Sequence, residues 1–146
     1  TMSFDEFRYH LAGVPFDKKW DVDITRIKER EDALTAKVRT SNSPYAIVCD
    51  QSSDHSFKIP IDSSMYNGEI IRTTPVTDCV FDWLSLLEGA SDLLLIESCF
   101  SNIVDQLHIS NNSQYLFLKH GYYGDKLEGS DRLKGVPVLK NNWIVK

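Results

Sequence analysis

Ser98 and Cys99 follow the apolar run Leu93-Leu94-Leu95-Ile96 after one intervening glutamate, Glu97. Phe100, Ile103, Val104 and Leu107 then recur at helical spacing, so the order is strand, tight turn, helix. Such a turn leaves the first helical N–H groups without partners at the positive end of the helix dipole. The chemistry it offers is an anion seat, above all for phosphate. Ser98 and Ser101 are placed to add hydroxyl donors, and the amides from about Phe100 to Asn102 complete the expected seat. Glu97 opposes a polyphosphate there unless its carboxylate turns toward a sugar hydroxyl. Ser98 is also a good N-cap for any helix, and capping is compatible with phosphate binding.

Other chemistry-bearing residues gather after the remaining apolar runs. Tyr45-Ala46-Ile47-Val48-Cys49 leads into Asp50, Ser52, Ser53 and His55; the stretch from Glu69 to Thr73 carries Arg72; Tyr115-Leu116-Phe117-Leu118 leads into Lys119 and His120. In an open parallel sheet, ligands bind beyond the carboxyl ends of the strands. That rule makes Asp50, Ser52, Ser53, Arg72, Ser98, Ser101 and Asn102 the candidate binding residues, with Arg72 supplying the cation. A surface ion pair is the alternative for Arg72, loop exposure for His55 and His120, and packing for Trp20, Trp83 and Trp143. No catalytic residue can be named from the sequence.

The elements that must position these groups are legible in outline. The runs 45–49, 93–96 and 115–118 lack the alternation of a sheet with one wet face, so they are expected to be parallel strands buried on both sides. Ile24, Ile27, Leu34 and Val38 recur near helical spacing among charged residues, which predicts a surface helix from about Val22 to Val38, stopped by Ser41-Asn42-Ser43-Pro44. A further helix is expected from a cap at Thr77 or Asp78 to Glu88, with Val80, Leu84 and Leu87 on one face and Gly89 as its stop. Short final strands are expected at 137–139 and 143–145. Strands alternating with helices define an α/β three-layer sandwich, a mostly parallel sheet with helices on both faces. Residues 1–20 carry turn signals and aromatics without periodicity and read as a lead-in or linker, with one domain over 21–146.

Length and composition narrow the function. With 146 residues, of which 42% are hydrophobic, the chain suits one domain with its own core. A charged fraction of 25% and a net charge of −5 leave no basic excess for nucleic acid. Cys49, Cys79 and Cys99 are odd in number and widely spaced, so reduced thiols in a cytoplasmic setting are expected, and no His/Cys spacing suggests a metal site. The start lacks the features of a signal peptide, and no apolar run approaches the roughly 20 residues of a membrane span. Thr1 precedes Met2, which raises the expectation that the chain is a piece of something longer.

The stretch Phe81-Asp82-Trp83-Leu84-Ser85-Leu86-Leu87-Glu88-Gly89-Ala90, followed by Leu93 to Ile96 and Glu97-Ser98-Cys99-Phe100-Ser101, resembles a recurrent pattern of GT-B glycosyltransferases. In that pattern a helix ending in E-x-A precedes a strand ending in D/E-S-S/G-F/P, and a helix begins beneath the donor nucleotide. The segment from Arg26 to Leu34 with the run 45–50 resembles the opening helix and first strand of the same C-terminal, Rossmann-like half. The likeness covers roughly 100 residues. It implies recognition of a nucleotide-diphosphate sugar as donor substrate, with no separate cofactor: Ser98 and Ser101 near the diphosphate, Arg72 as its counter-charge, and the loop after Cys49, with Asp50, Ser52 and Ser53, near the sugar. The sequence departs from the family in having Glu97-Ser98-Cys99-Phe100 where some members have Asp-Ser-Gly-Pro. It also lacks a second Rossmann-like half, so a missing N-terminal half or a homo-oligomer is the expected partner. Two other classes compete: a non-catalytic interaction domain, binding through its lead-in and aromatic C-terminus, and a hydrolase using Ser98 or Cys99 with His120, although the glycines of a nucleophile elbow are missing.

Overall fold

The computed structural model describes residues 3–51, 58–118 and 138–146. Its centre is a five-stranded sheet of β1 (Tyr45–Cys49), β2 (Glu69–Arg72), β3 (Asp92–Ile96), β4 (Ser113–Phe117) and β5 (Trp143–Val145), in the order β2-β1-β3-β4-β5. Every neighbouring pair is parallel, including the three runs expected to be so. Among the described residues four α-helices accompany it: α1 (Phe4–Ala12), α2 (Lys28–Val38), α3 (Leu84–Gly89) and α4 (Cys99–Gln106).

Strand order fixes the layers. From β1 the chain moves one way across the sheet to reach β2, and from β2 onward every crossover moves the other way. Because parallel crossovers are right-handed, the described part of the β1–β2 connection lies on one face and the β2–β3 and β3–β4 crossovers on the other. Side chains divide accordingly. Tyr45, Ile47, Cys49, Ile71, Leu93 and Leu95 pack with Leu34 of α2, Leu84, Leu86 and Leu87 of α3, and Ile103 and Val104 of α4. The alternate residues Ala46, Val48, Leu94, Ile96 and Phe117 face Ile59, with Ile61, Met65 and Tyr66 packed alongside. The result is a three-layer α/β sandwich. Helices were expected on both faces, but the described cover of the second is irregular chain with one 3₁₀ turn, Ser63–Met65.

Several local expectations are corrected. The lead-in is ordered into α1 and a 3₁₀ turn at Phe16–Trp20; Ser3 and Glu6 form a capping box, and Gly13 ends α1 at φ 67°. The helix expected from Val22 begins at Lys28. Val22, Ile24, Thr25 and Ile27 are β-branched and lose side-chain freedom in a helix, while Arg26 is drawn to Glu31 and Glu88. The helix expected from Thr77 or Asp78 is a 3₁₀ turn, Val80–Trp83, running into α3, because those caps are used sideways. Thr77 bonds Asp82, and Asp78 pairs with Arg30. Gly89 is the last residue of α3 rather than a residue beyond it, and an added Cβ there would stand 2.7 Å from the Tyr45 hydroxyl. Of the final segments, Trp143–Val145 is β5; 138–139 is not a strand, and Pro137 lies outside the described residues.

Ion pairs seat α2 on its neighbours. Arg26 binds Glu31 at 2.6 Å and Glu88 at 2.6 Å, and Arg30 binds Asp82 at 2.8 Å. Glu31 is buried, yet its bond to Arg26 holds its carboxyl below the usual range against the cost of burial.

Asp105 of α4 gathers both ends of the chain. Only 1% exposed, it accepts the Trp20 indole N–H at 2.8 Å, the Trp143 indole N–H at 2.9 Å and the Asn141 N–H at 2.9 Å. The Lys140 N–H adds a longer contact of 3.1 Å. Lys140 also stands 4.4 Å above the Trp20 ring, and Gln106 donates to the Lys19 carbonyl. Burial raises the Asp105 pKa, but the donors on Asn141, Trp20, Trp143 and Lys140 together outweigh it and hold the carboxyl low.

Replacing this carboxylate tests the junction. Asp105→Asn keeps the shape but turns an NH₂ group toward donors, so unfolding in urea should show a loss of about 3 kcal/mol. A change below about 0.5 kcal/mol would remove Asp105 as the tie. The depressed pKa adds a pH signature. Its stabilisation is complete above the unfolded value of about 3.9 and is lost as pH falls through the lower folded value. Wild type should therefore lose stability more steeply than Asp105→Asn on acidification below about pH 4.

Candidate functional site

β1 is the strand from which the two directions of winding diverge. Its chain leaves toward one face after Cys49, while the chain leaving β3 turns into α4 on the other. The carboxyl ends of β1 and β3 therefore border the topological switch point, where open α/β sheets bind ligands. Register places the neighbours: Cys49 beside Leu95 across β1 and β3, and Val48 beside Arg72 across β1 and β2. Asp50, Arg72 and Ser98 thus share the carboxyl edge of the sheet.

Asp50 and Arg72 form an ion pair. The alternative weighed for Arg72, an ion pair, is thus present, although its partner is itself a candidate site residue. Their side chains are 19% and 49% exposed, so the guanidinium remains open to solvent beside a more sheltered carboxylate.

Ser98 is the N-cap of α4, extended at φ −155°, and stands with Ser101 in a capping-box arrangement. The half of that box with full hydrogen-bond geometry runs from the Ser98 N–H to the Ser101 hydroxyl at 3.0 Å. Ser101 is buried and gives its own proton to the Ser98 carbonyl at 2.9 Å. A ligand could use the Ser101 hydroxyl only by displacing that bond. The Ser98 hydroxyl lies 3.9 Å from the Cys49 sulfur, a contact joining the end of β1 to the start of α4.

The Asn102 amide already donates to the Ser98 carbonyl at 3.1 Å, so the expected seat shifts one residue toward Cys99. Cys99 itself stands over that seat. Although the residue as a whole is exposed, partial desolvation of its sulfur and the neighbouring Cys49 raise its thiol pKa, partly offset by the Phe100 and Cys99 N–H groups, which favour the thiolate. This contribution of Cys99 was missed in the sequence, where the residue reads as a reduced thiol and as a rival nucleophile. The signal available was its position as first residue of the helix. Asn102 has an exposed side chain at the same end of α4. Ser52 and Ser53 lie outside the described residues, as do His55 and His120.

Two further observations bound the chemistry. Among the described residues, no group of three or more His, Cys, Asp or Glu could hold a metal ion, and no helix is long and apolar enough to cross a membrane. The only described non-glycine residue at positive φ is His108, so the Ser98–Cys99 turn carries no left-handed backbone strain. No family model, curated protein or solved structure matches the chain.

The burial order of the thiols is directly testable. Cys99 is exposed, Cys79 half-buried and Cys49 buried. Iodoacetamide followed by peptide mass mapping should label Cys99 first and Cys49 last in the folded protein. Because the Cys99 pKa is raised, its rate should still be climbing at pH 9, where an ordinary thiol is largely ionised. Labelling of Cys49 as fast as Cys99 would contradict the packing at the end of β1.

Proposed function

We propose that this domain binds a nucleotide-diphosphate sugar at the carboxyl ends of β1, β2 and β3, as the donor-binding part of a glycosyltransferase. The observation that carries the reading is the sheet order, which brings Arg72 and the start of α4 to one edge at the switch point. The diphosphate meets the first amides of α4 and the Arg72 guanidinium, the two kinds of donor that suit it. Asp50 lies where a sugar or ribose hydroxyl is within reach, and Ser98 fixes the end of the helix. The donor is a substrate, and acceptor and general base come from a second half or another subunit.

The interaction-domain reading draws less support. Its aromatic anchors in the lead-in and at the C-terminus, Trp20 and Trp143, are both committed to Asp105.

Ultraviolet difference titration with ADP, GDP and UDP tests the proposal. Wild type should bind at least one with a Kd below a millimolar. Arg72→Ala should weaken that affinity about tenfold, the worth of one charge-assisted contact. Its effect on folding should stay within about 1 kcal/mol, as expected of an exposed pair. Ser98→Ala should instead cost about 1 kcal/mol of stability by loosening the cap, and weaken binding as well. Wild-type affinity in Arg72→Ala would take Arg72 out of the site. Absence of binding at several millimolar of every nucleotide would overturn the reading.

A further inference from the structure

The Asp50–Arg72 pair stands where the proposed site needs its cation. Arg72 is the last residue of β2, and the Thr73 N–H bonds the Val48 carbonyl at 3.0 Å, so the ladder fixes the two strand ends without help from the side chains. Asp50, just past the end of β1, is free to serve the guanidinium. Its carboxylate is the more sheltered of the two and meets Arg72 through Nη1. A guanidinium has five N–H donors, so an anion could share it, but at the cost of lying beside a like charge.

We propose that Asp50 sets the charge selectivity of the crevice. It neutralises Arg72, so a bare anion gains little there. A ligand that brings hydroxyl donors for the Asp50 carboxylate together with an anionic group for Arg72 satisfies both partners. The pair thus favours diphosphates that carry a polyol over inorganic pyrophosphate or phosphate, which would otherwise compete for the same donors. The inference rests on the crevice being the ligand site, and names a residue that tunes it.

Asp50→Asn is the informative variant, because the amide oxygen can still accept from Arg72 while the charge is gone. Calorimetric titration should show pyrophosphate binding about fivefold to tenfold more tightly to Asp50→Asn than to wild type at low salt. The gain for UDP, ADP or GDP should be smaller, so selectivity for the hydroxyl-bearing ligand falls. Asp50→Ser should move pyrophosphate affinity in the same direction, which keeps the test valid should the asparagine variant fold poorly. Glu29→Gln, the same charge change on α2, should leave both affinities unaltered. If wild type binds a nucleoside diphosphate and neither Asp50 variant gains pyrophosphate affinity, Asp50 positions Arg72 instead and the inference fails while the site reading stands. If wild type and both variants bind none of these ligands, the site reading fails and takes the inference with it.

Discussion

The handedness of parallel crossovers is the constraint on which the rest of this structure depends. Once β1 lies inside the sheet with β2 on one side and β3 on the other, a right-handed chain has no freedom in where its connections go. The β1–β2 connection covers Ala46, Val48, Leu94 and Ile96 through Ile59 and its neighbours, and the β2–β3 and β3–β4 crossovers cover Ile47, Leu93 and Leu95. The strand residues consequently have an apolar neighbour on each face, which is why β1 and β3 are buried along their whole length. The same divergence separates the chains above β1 and β3. Core and crevice follow from one rule of chain geometry.

Around that frame, charge is used mainly to fasten irregular pieces. Arg26 and Arg30 seat α2 against α3 and the preceding 3₁₀ turn, and Asp105 draws in the lead-in and the approach to β5. Asp105 is the more consequential, because a buried carboxylate is tolerable only when its acceptor sites are filled. Its donors are Trp20 at the end of a 3₁₀ turn, the irregular chain at Lys140 and Asn141, and Trp143 at the start of the edge strand β5. The carboxylate thus ties a short turn and an edge strand to the same helix.

The sequence made the centre of the fold legible and its edges less so. Unbroken apolar runs at 45–49 and 93–96 can be satisfied only by burial on two faces, and that physical demand is local. The start of α2 was misplaced because Ile24 and Ile27 fall at helical spacing although their neighbours resist the helix. The capping box of Ser3 and Glu6 was present to be read, but the aromatics and Pro15 around it drew attention to turns. At the site, strand-end logic found Asp50, Arg72 and Ser98 separately. Their relations depend on register and on which face each crossover takes, and neither is written in a local pattern. Asp105 shows the limit most clearly: on α4 it reads as one of several polar residues, and its donors include Trp20 and Trp143 from opposite ends of the chain.

An all-parallel sheet also shapes how the chain reaches this state. No two neighbouring strands are joined by a hairpin, and even the nearest pairing in sequence, Asp92 with Ser113, must close a long loop before its first ladder bond forms. β1 and β3, which pair with each other, have the whole of β2 between them in sequence. Contacts of that kind raise contact order and slow the search for the native topology. The early events available are helical turns such as α2 and α4, which form locally and can hold apolar side chains ready while the strands are still finding one another. The arrangement that opens a crevice in the finished sheet is therefore the one that makes the sheet late to assemble.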